Sequence, residues 1–180
     1  MKYGVILLDP PWAFKTFSGK LVTAHRTAND HYQTMKAHEI AGLPIPDLAA
    51  KSCALFMWTV DSHLDESLEL MRFWGFKYKT IAFIWEKIGA NGMPRIGMGY
   101  WTRKQAEVCL MATRGTPKRL SKGVRQIIQA PRREHSRKPD EIYERIEALV
   151  EGPYLEMFAR QEWAGWDSWG NETEKFKAAE

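Results

Sequence analysis

Asp9, Pro10, Pro11 and Trp12 stand in a row directly behind the apolar run YGVILL at 3–8. Proline fixes φ and carries no N–H, so the pair makes a rigid turn whose carbonyls are left as acceptors. Asp9 adds an ionised, acceptor-only carboxylate. Trp12 offers a flat face on which a nucleobase stacks for about 1–3 kcal/mol. Two acceptors beside a stacking face suit the holding of a planar amino group. The exocyclic nitrogen of adenine is a poor nucleophile because its lone pair is conjugated with the ring. Hydrogen bonds from its two N–H groups to the Asp9 carboxylate and the Pro10 carbonyl would favour a pyramidal nitrogen with an available lone pair. That is catalysis by orientation and electrostatics, with no general base of shifted pKa. The plainer alternative is a turn with Asp9 as a cap and Trp12 in the core. The strand before the motif and the basic loop after it (Lys15, Lys20, His25, Arg26) favour the chemical reading.

Ligands of open α/β sheets bind beyond the carboxyl ends of the strands, so the first strand must end at Asp9. YGVILL suits a strand buried on both faces. Residues 13–34 read as a long functional loop, and KAHEIAGLPIPDLA as two short helical pieces around a proline-limited turn. SCALFMWTV (52–60) predicts a second strand. DSHLDESLELMRFWG predicts an amphipathic helix capped by Asp61 or Ser62 and closed by Gly75. FKYKTIAFIW (76–85) and AEVCLMAT (106–113) predict two more strands around a glycine-rich loop, with RQIIQA as a short fifth. SRKPDEIYERIEALVEG predicts a helix with Pro139 in its first turn and Asp140 and Glu141 near its positive end. PYLEMFA (153–159) reads as the last strand. Strands alternating with helices give an α/β domain with a largely parallel sheet, a single domain over 1–180.

The 180 residues carry a net charge of +4, which permits a polyanionic partner without requiring one. No apolar run reaches the length of a membrane span, and the N-terminus lacks a signal-peptide cleavage pattern. A cytoplasmic location is expected. The two cysteines, Cys53 and Cys109, sit in apolar runs and read as core thiols of a reducing compartment; the five histidines show no metal-ligand spacing, and no metal is expected.

The DPPW motif resembles that of the DPPW-type (MT-A70-like) adenine-N6 methyltransferases, the family of the eukaryotic mRNA adenosine methyltransferase subunit, with bacterial and phage members. The resemblance extends through HYQTM, EIAGLPI, LFMWTV, WGFKYKT, GYWTRKQAEVCL, SRKPDEIYERIE, EMFAR and WGNE. It implies a Rossmann-like class I methyltransferase sheet, circularly permuted, with the catalytic strand first and the cofactor strand YLEMFAR last. It also implies S-adenosylmethionine as cofactor. Asp9, Pro10, Pro11 and Trp12 then fall on catalytic positions. Asp9, Lys138, Arg160 and Asn171 fall on cofactor positions, joined by Gln161 and by Glu172, which replaces a frequent glutamine of the family.

On the substrate side, Tyr32 resembles a gate tyrosine, and Trp101 and Glu107 match positions near the target nucleotide. Ser136 is grouped with them, and Lys15, Arg103 and Lys104 are candidates for phosphate contacts, as is Arg95. Arg132, Arg133, Arg137 and Lys138 form the densest basic cluster. The resemblance implies N6-methylation of adenine in nucleic acid, DNA favoured over RNA. An RNA adenosine methyltransferase, a catalytically silent nucleic-acid-binding subunit and a protein glutamine methyltransferase remain as alternatives. A homodimer or a partner subunit is open.

Overall fold

The N-terminal apolar run forms strand β1 (Tyr3–Leu8) in a computed structural model that describes residues 1–12, 34–89, 91–97, 99, 101–133 and 137–170. Two short helices follow, α1 (Ala37–Ala41) and α2 (Ile45–Leu48), and lead into β2 (Ala49–Thr59). A 3-10 turn over Asp61–His63 precedes α3 (Leu64–Phe73), so the expected cap at Asp61 or Ser62 is replaced by a tighter turn. Then come β3 (Lys77–Ile88), β4 (Ala106–Arg114), β5 (Ile127–Pro131), α4 (Glu141–Leu149), β6 (Tyr154–Met157) and β7 (Trp166–Trp169). The expected last strand is therefore followed by one more. WDSW is too short and too mixed to announce itself, and it pairs only because β6 offers an open parallel edge.

Among the described residues the sheet has seven strands in the order β5-β3-β4-β2-β1-β6-β7. It is parallel except at β4, which runs antiparallel to both β2 and β3. The period of two along the central strands divides the core. Ile6 and Leu8 of β1, Leu55 and Met57 of β2 and Leu110 of β4 pack on one face with Ile40, Ile45, Leu70 and Met71 of α1, α2 and α3. Val5 and Leu7, Phe56 and Trp58, and Cys109 pack on the other face with Ile142, Tyr143 and Ile146 of α4. Strands β1 and β2 thus read as continuous apolar runs because helices cover both their faces. Both cysteines are buried, and burial pushes the Cys53 thiol up to about 12.

Strands β1 and β6 are parallel neighbours, with Val5 opposite Tyr154 and Leu8 opposite Met157. Their junction is tight at its start. The Pro153 carbonyl accepts from Gly4 N–H at 3.0 Å and Val5 N–H at 3.2 Å. A Cβ on Gly4 would sit 2.9 Å from the Gly152 carbonyl oxygen and 3.1 Å from that of Glu151, both backbone atoms. Gly4→Ala must push β1 away from the backbone that leads into β6. The expected cost, measured by chemical denaturation, is about 1–3 kcal/mol, as for overpacked cores.

Candidate active site

Strand register gathers the chemistry at one end of the sheet. Leu8 lies opposite both Met57 and Met157, so Asp9 emerges beside the carboxyl ends of β2 and β6. Because β4 is antiparallel, its start meets those ends: Val108 pairs with Thr59 and Ala106 with Glu86. Glu107 is thereby carried to the same rim. Lys138, just before α4, completes the group. Its ammonium donates to Asp9 Oδ2 at 2.8 Å and lies 3.3 Å from Glu107 Oε2. Glu107 Oε1 is bonded to Lys87 Nζ, and Lys138 Nζ stands 5.7 Å over the Trp58 ring. The result is a chain of alternating charge, Asp9–Lys138–Glu107–Lys87. Burial alone would raise the Glu107 pKa, but Lys138 and Lys87 outweigh it and bring it down to about 2. Burial works against the Lys138 charge, and Asp9 and Glu107 more than restore it, so its pKa stands above the ordinary lysine range.

A cleft opens behind Asp9, lined by Lys138, Tyr143, Glu156, Phe158, Arg160 and Gln161, with Arg137 beside them. Glu156, in β6, accepts from Tyr143 Oη at 2.9 Å. Burial and then the Asp9 charge raise its pKa to about 8 against the Tyr143 hydrogen bond. Sequence reasoning missed Glu156, and the one available signal was an acid inside the apolar strand YLEM. Asp140 ties the cleft's basic rim together. It receives both terminal nitrogens of Arg133, at 2.6 and 2.7 Å, the Gln161 amide at 2.9 Å, and Arg137 at 3.6 Å. These donors hold its carboxyl below the usual range although burial opposes them. Asp140 precedes α4 but makes no side-chain cap bond, so it serves the arginines and not the helix. The basic cluster seen in the sequence is thus largely neutralised from within: Arg133 and Arg137 face Asp140, and Lys138 faces Asp9 and Glu107.

The Asp9–Trp12 motif departs from expectation in two ways. Trp12 is 4% exposed and belongs to the core, its ring stacked on His63 at 4.8 Å and 9°, so it is a packed residue and not an open platform. The proline carbonyls are not wholly free either. Pro10 O accepts from Trp12 N–H at 2.9 Å and Pro11 O from Met35 N–H at 2.8 Å, which leaves one lone pair on each. Asp9 keeps an oxygen to which no described residue donates.

Arg160 and Gln161 line the first cleft. Glu107 belongs to the charge chain. A second cleft of about 440 Å³ flanks it, lined by Lys87, Arg95, Lys104, Glu107 and Arg132 among others. Lys104 is 3.1 Å from Asp61, and Arg103 donates to Gly97 O at 2.9 Å. Trp101 stands 93% exposed at φ 66° and does not line either cleft. Lys15, Lys20, His25, Arg26, Tyr32, Ser136, Asn171 and Glu172 lie outside the described residues.

A sheet with helices on both faces and an acidic, proline-braced turn at the end of the interior strand β1 defines a Rossmann-like methyltransferase fold. The sequence model of the MT-A70 family matches residues 3–172, and the chain belongs to that family. It is 35% identical to the type II methyltransferase M.MunI of a Mycoplasma species, over 95% of this chain and 78% of that protein. It is 32% identical to an N(6)-adenosine-methyltransferase MT-A70-like protein of Arabidopsis thaliana, over 94% of this chain and 24% of the relative. It is 31% identical to the human N(6)-adenosine-methyltransferase catalytic subunit METTL3, over 88% of this chain and 26% of the relative. The chain thus spans about a quarter of the length of these two eukaryotic relatives.

The cleft predicts a pH signature. Glu156 ionises near its ordinary 4.5 in the unfolded chain and near 8 in the fold, so between those values the native state binds the extra proton. Stability contributed by this group is complete below about 4.5 and is lost as pH rises through about 8. Glu156→Gln is neutral throughout. The melting temperature of the variant minus that of the wild type should grow between pH 4.5 and 8 and level off above.

Proposed function

We propose that this chain transfers a methyl group from S-adenosylmethionine to N6 of adenine in nucleic acid, and in DNA rather than RNA. The observation that carries the reading is Asp9. One of its oxygens is pinned by Lys138 at 2.8 Å, the other receives no bond from a described residue, and the neighbouring Pro10 carbonyl keeps a lone pair. Two fixed acceptors side by side can take both N–H bonds of an adenine amino group. They orient its nitrogen and favour the pyramidal form, while Lys138 fixes the carboxylate rotamer and takes no proton. The N6 proton displaced by the methyl group leaves to solvent. The preference for DNA rests on the likeness to the type II methyltransferase, which covers most of both proteins.

The donor set of the first cleft fits the cofactor. A zwitterionic amino-acid tail calls for cations and acceptors, which Lys138, Arg160, Gln161 and Asp9 provide, and ribose hydroxyls call for an acceptor such as Glu156. S-adenosylmethionine, when bound, supplies an electrophilic methyl group. The space among these side chains is about 20 Å³, so binding requires the long side chains of Arg137 and Arg160 to swing aside while Lys138 stays on Asp9. Asn171 and Glu172 belong to the same proposed pocket by resemblance. The parallel pairing of β1 with β6 supports β6 as the cofactor strand and the permuted order.

Asp9→Ala should abolish methyl transfer; it also leaves Lys138 paired with Glu107 alone, so chemical denaturation must show the variant folded before its turnover is read. Asp9→Asn, which replaces an acceptor by a donor, should be nearly as inactive. Either variant keeping more than a tenth of wild-type turnover contradicts the assignment. The substrate is read by offering DNA and RNA of one sequence with labelled cofactor and locating the mark. N6-methyladenine in DNA is expected; label in RNA alone, or on protein, overturns the choice.

The cleft lined by Lys87, Arg95, Lys104 and Arg132 is the proposed path of the phosphate backbone. Such contacts position a strand without reading it. Arg95→Glu and Arg132→Glu should weaken binding to all sequences alike. Each should also shallow the slope of log affinity against log salt by about one. Salt-independent binding by the wild type would exclude this surface.

A further inference from the structure

Among the described residues, nothing polar sets the orientation of the Trp12 ring. Its indole Nε1 is buried and has no hydrogen-bond partner, although a buried indole N–H ordinarily finds one. Its backbone is held, since the N–H donates to Pro10 O and Trp12 bridges Met35. The ring is therefore placed by packing, and the flat contact it makes is the His63 imidazole, 4.8 Å away and within 9° of parallel.

His63 is itself rigidly mounted. Its N–H donates to Val60 O at 2.9 Å, and its carbonyl accepts from Ser67 Oγ at 2.7 Å and from Thr59 Oγ1 at 3.4 Å. Ser67 and Thr59 are both buried, and their hydroxyls meet at 2.7 Å. Glu66 grips the imidazole at Nδ1. Thr59 ends β2, whose Met57 lies opposite Leu8 of β1, so this mount starts from the strand beside the one that carries Asp9. Leucine would fill the same space at lower polar cost. A tethered flat ring does something bulk alone does not: it selects one plane for Trp12, and through Trp12 one shape for the Pro10–Pro11 turn.

We propose that His63 is a positioning residue for methyl transfer, its ring plane holding Trp12 and with it the Asp9–Pro10 acceptor pair. This rests on the methyltransferase reading above. Displacements of an ångström at a reacting centre cost orders of magnitude in rate, so a loosened turn is expected to act on kcat before it acts on binding.

Three substitutions separate shape from bulk. His63→Phe keeps a flat ring, His63→Leu keeps the volume without a flat face, and Glu66→Gln weakens only the tether. Turnover is measured as methyl groups transferred to unmethylated DNA, with Kd for the cofactor and for DNA by calorimetry. Solvent exchange of the Trp12 indole N–H is followed by NMR and assigned with Trp12→Phe. His63→Leu should lower kcat about tenfold or more, leave both Kd values within about twofold, and speed the indole exchange. His63→Phe should stay within about threefold of wild type with slow exchange. Wild-type kcat in His63→Leu, or equal loss in His63→Phe, overturns the proposal. Should His63→Leu fail to fold, Glu66→Gln takes its place, with lowered kcat supporting and unchanged kcat refuting. A wild type that methylates no adenine would sink the functional reading instead, while the exchange rates would still decide whether His63 holds Trp12.

Discussion

One ammonium between two carboxylates organises this molecule. Lys138 meets Asp9 at 2.8 Å and Glu107 at 3.3 Å, with its side chain 15% exposed. Three segments far apart in the chain must arrive together for that contact to exist: the end of β1, the start of β4 and the approach to α4. Charges this far out of water are tolerated only when paired, and removing one partner of such a pair typically costs about 3–5 kcal/mol. The pairing therefore constrains the sheet as much as the sheet positions the pairing. The one antiparallel strand follows from the same demand, since a parallel β4 would deliver Arg114 and not Glu107 to this rim.

The same carboxyl chemistry is tuned in opposite directions within one small volume. Glu107, gripped by two lysines, is held to about 2, whereas Glu156, facing the cleft with a tyrosine and the Asp9 charge, rises to about 8. Neither value belongs to glutamate as such; each reports which neighbours outweigh burial. The arginines around Asp140 show a further balance. A rim that looks strongly basic in sequence is locally compensated, which leaves Arg95 and Arg132 of the flanking cleft as the better placed cations for a polyanion.

Membership of the MT-A70 family and an Asp9 oxygen that no described residue occupies point to the same chemistry. The likeness describes the chain as a whole, while the geometry says which atoms are free to act. Trp12 illustrates the difference. Its place in the motif suggested a stacking surface, yet its ring is buried against His63 in the core.

Sequence alone was enough for the α/β class, for most of the elements and for the motif. The apolar runs that became β1, β2 and β4 and the stripes of α3 and α4 are local patterns, because period and composition are properties of neighbouring residues. Asp9, Lys138, Arg160, Gln161 and Glu107 could be singled out because each lies in a recognisable stretch. What no local pattern encodes is which distant groups touch. That Lys138 would bridge Asp9 and Glu107, that Asp140 would bind Arg133 and leave the helix end uncapped, and that Glu156 would share the cleft were settled only by tertiary contact. So was the pairing of Trp12 with His63, which requires the turns after β1 and β2 to lie side by side. Strand β7 is the limiting case: WDSW has no strand signature of its own, and only the free edge of β6 makes it one.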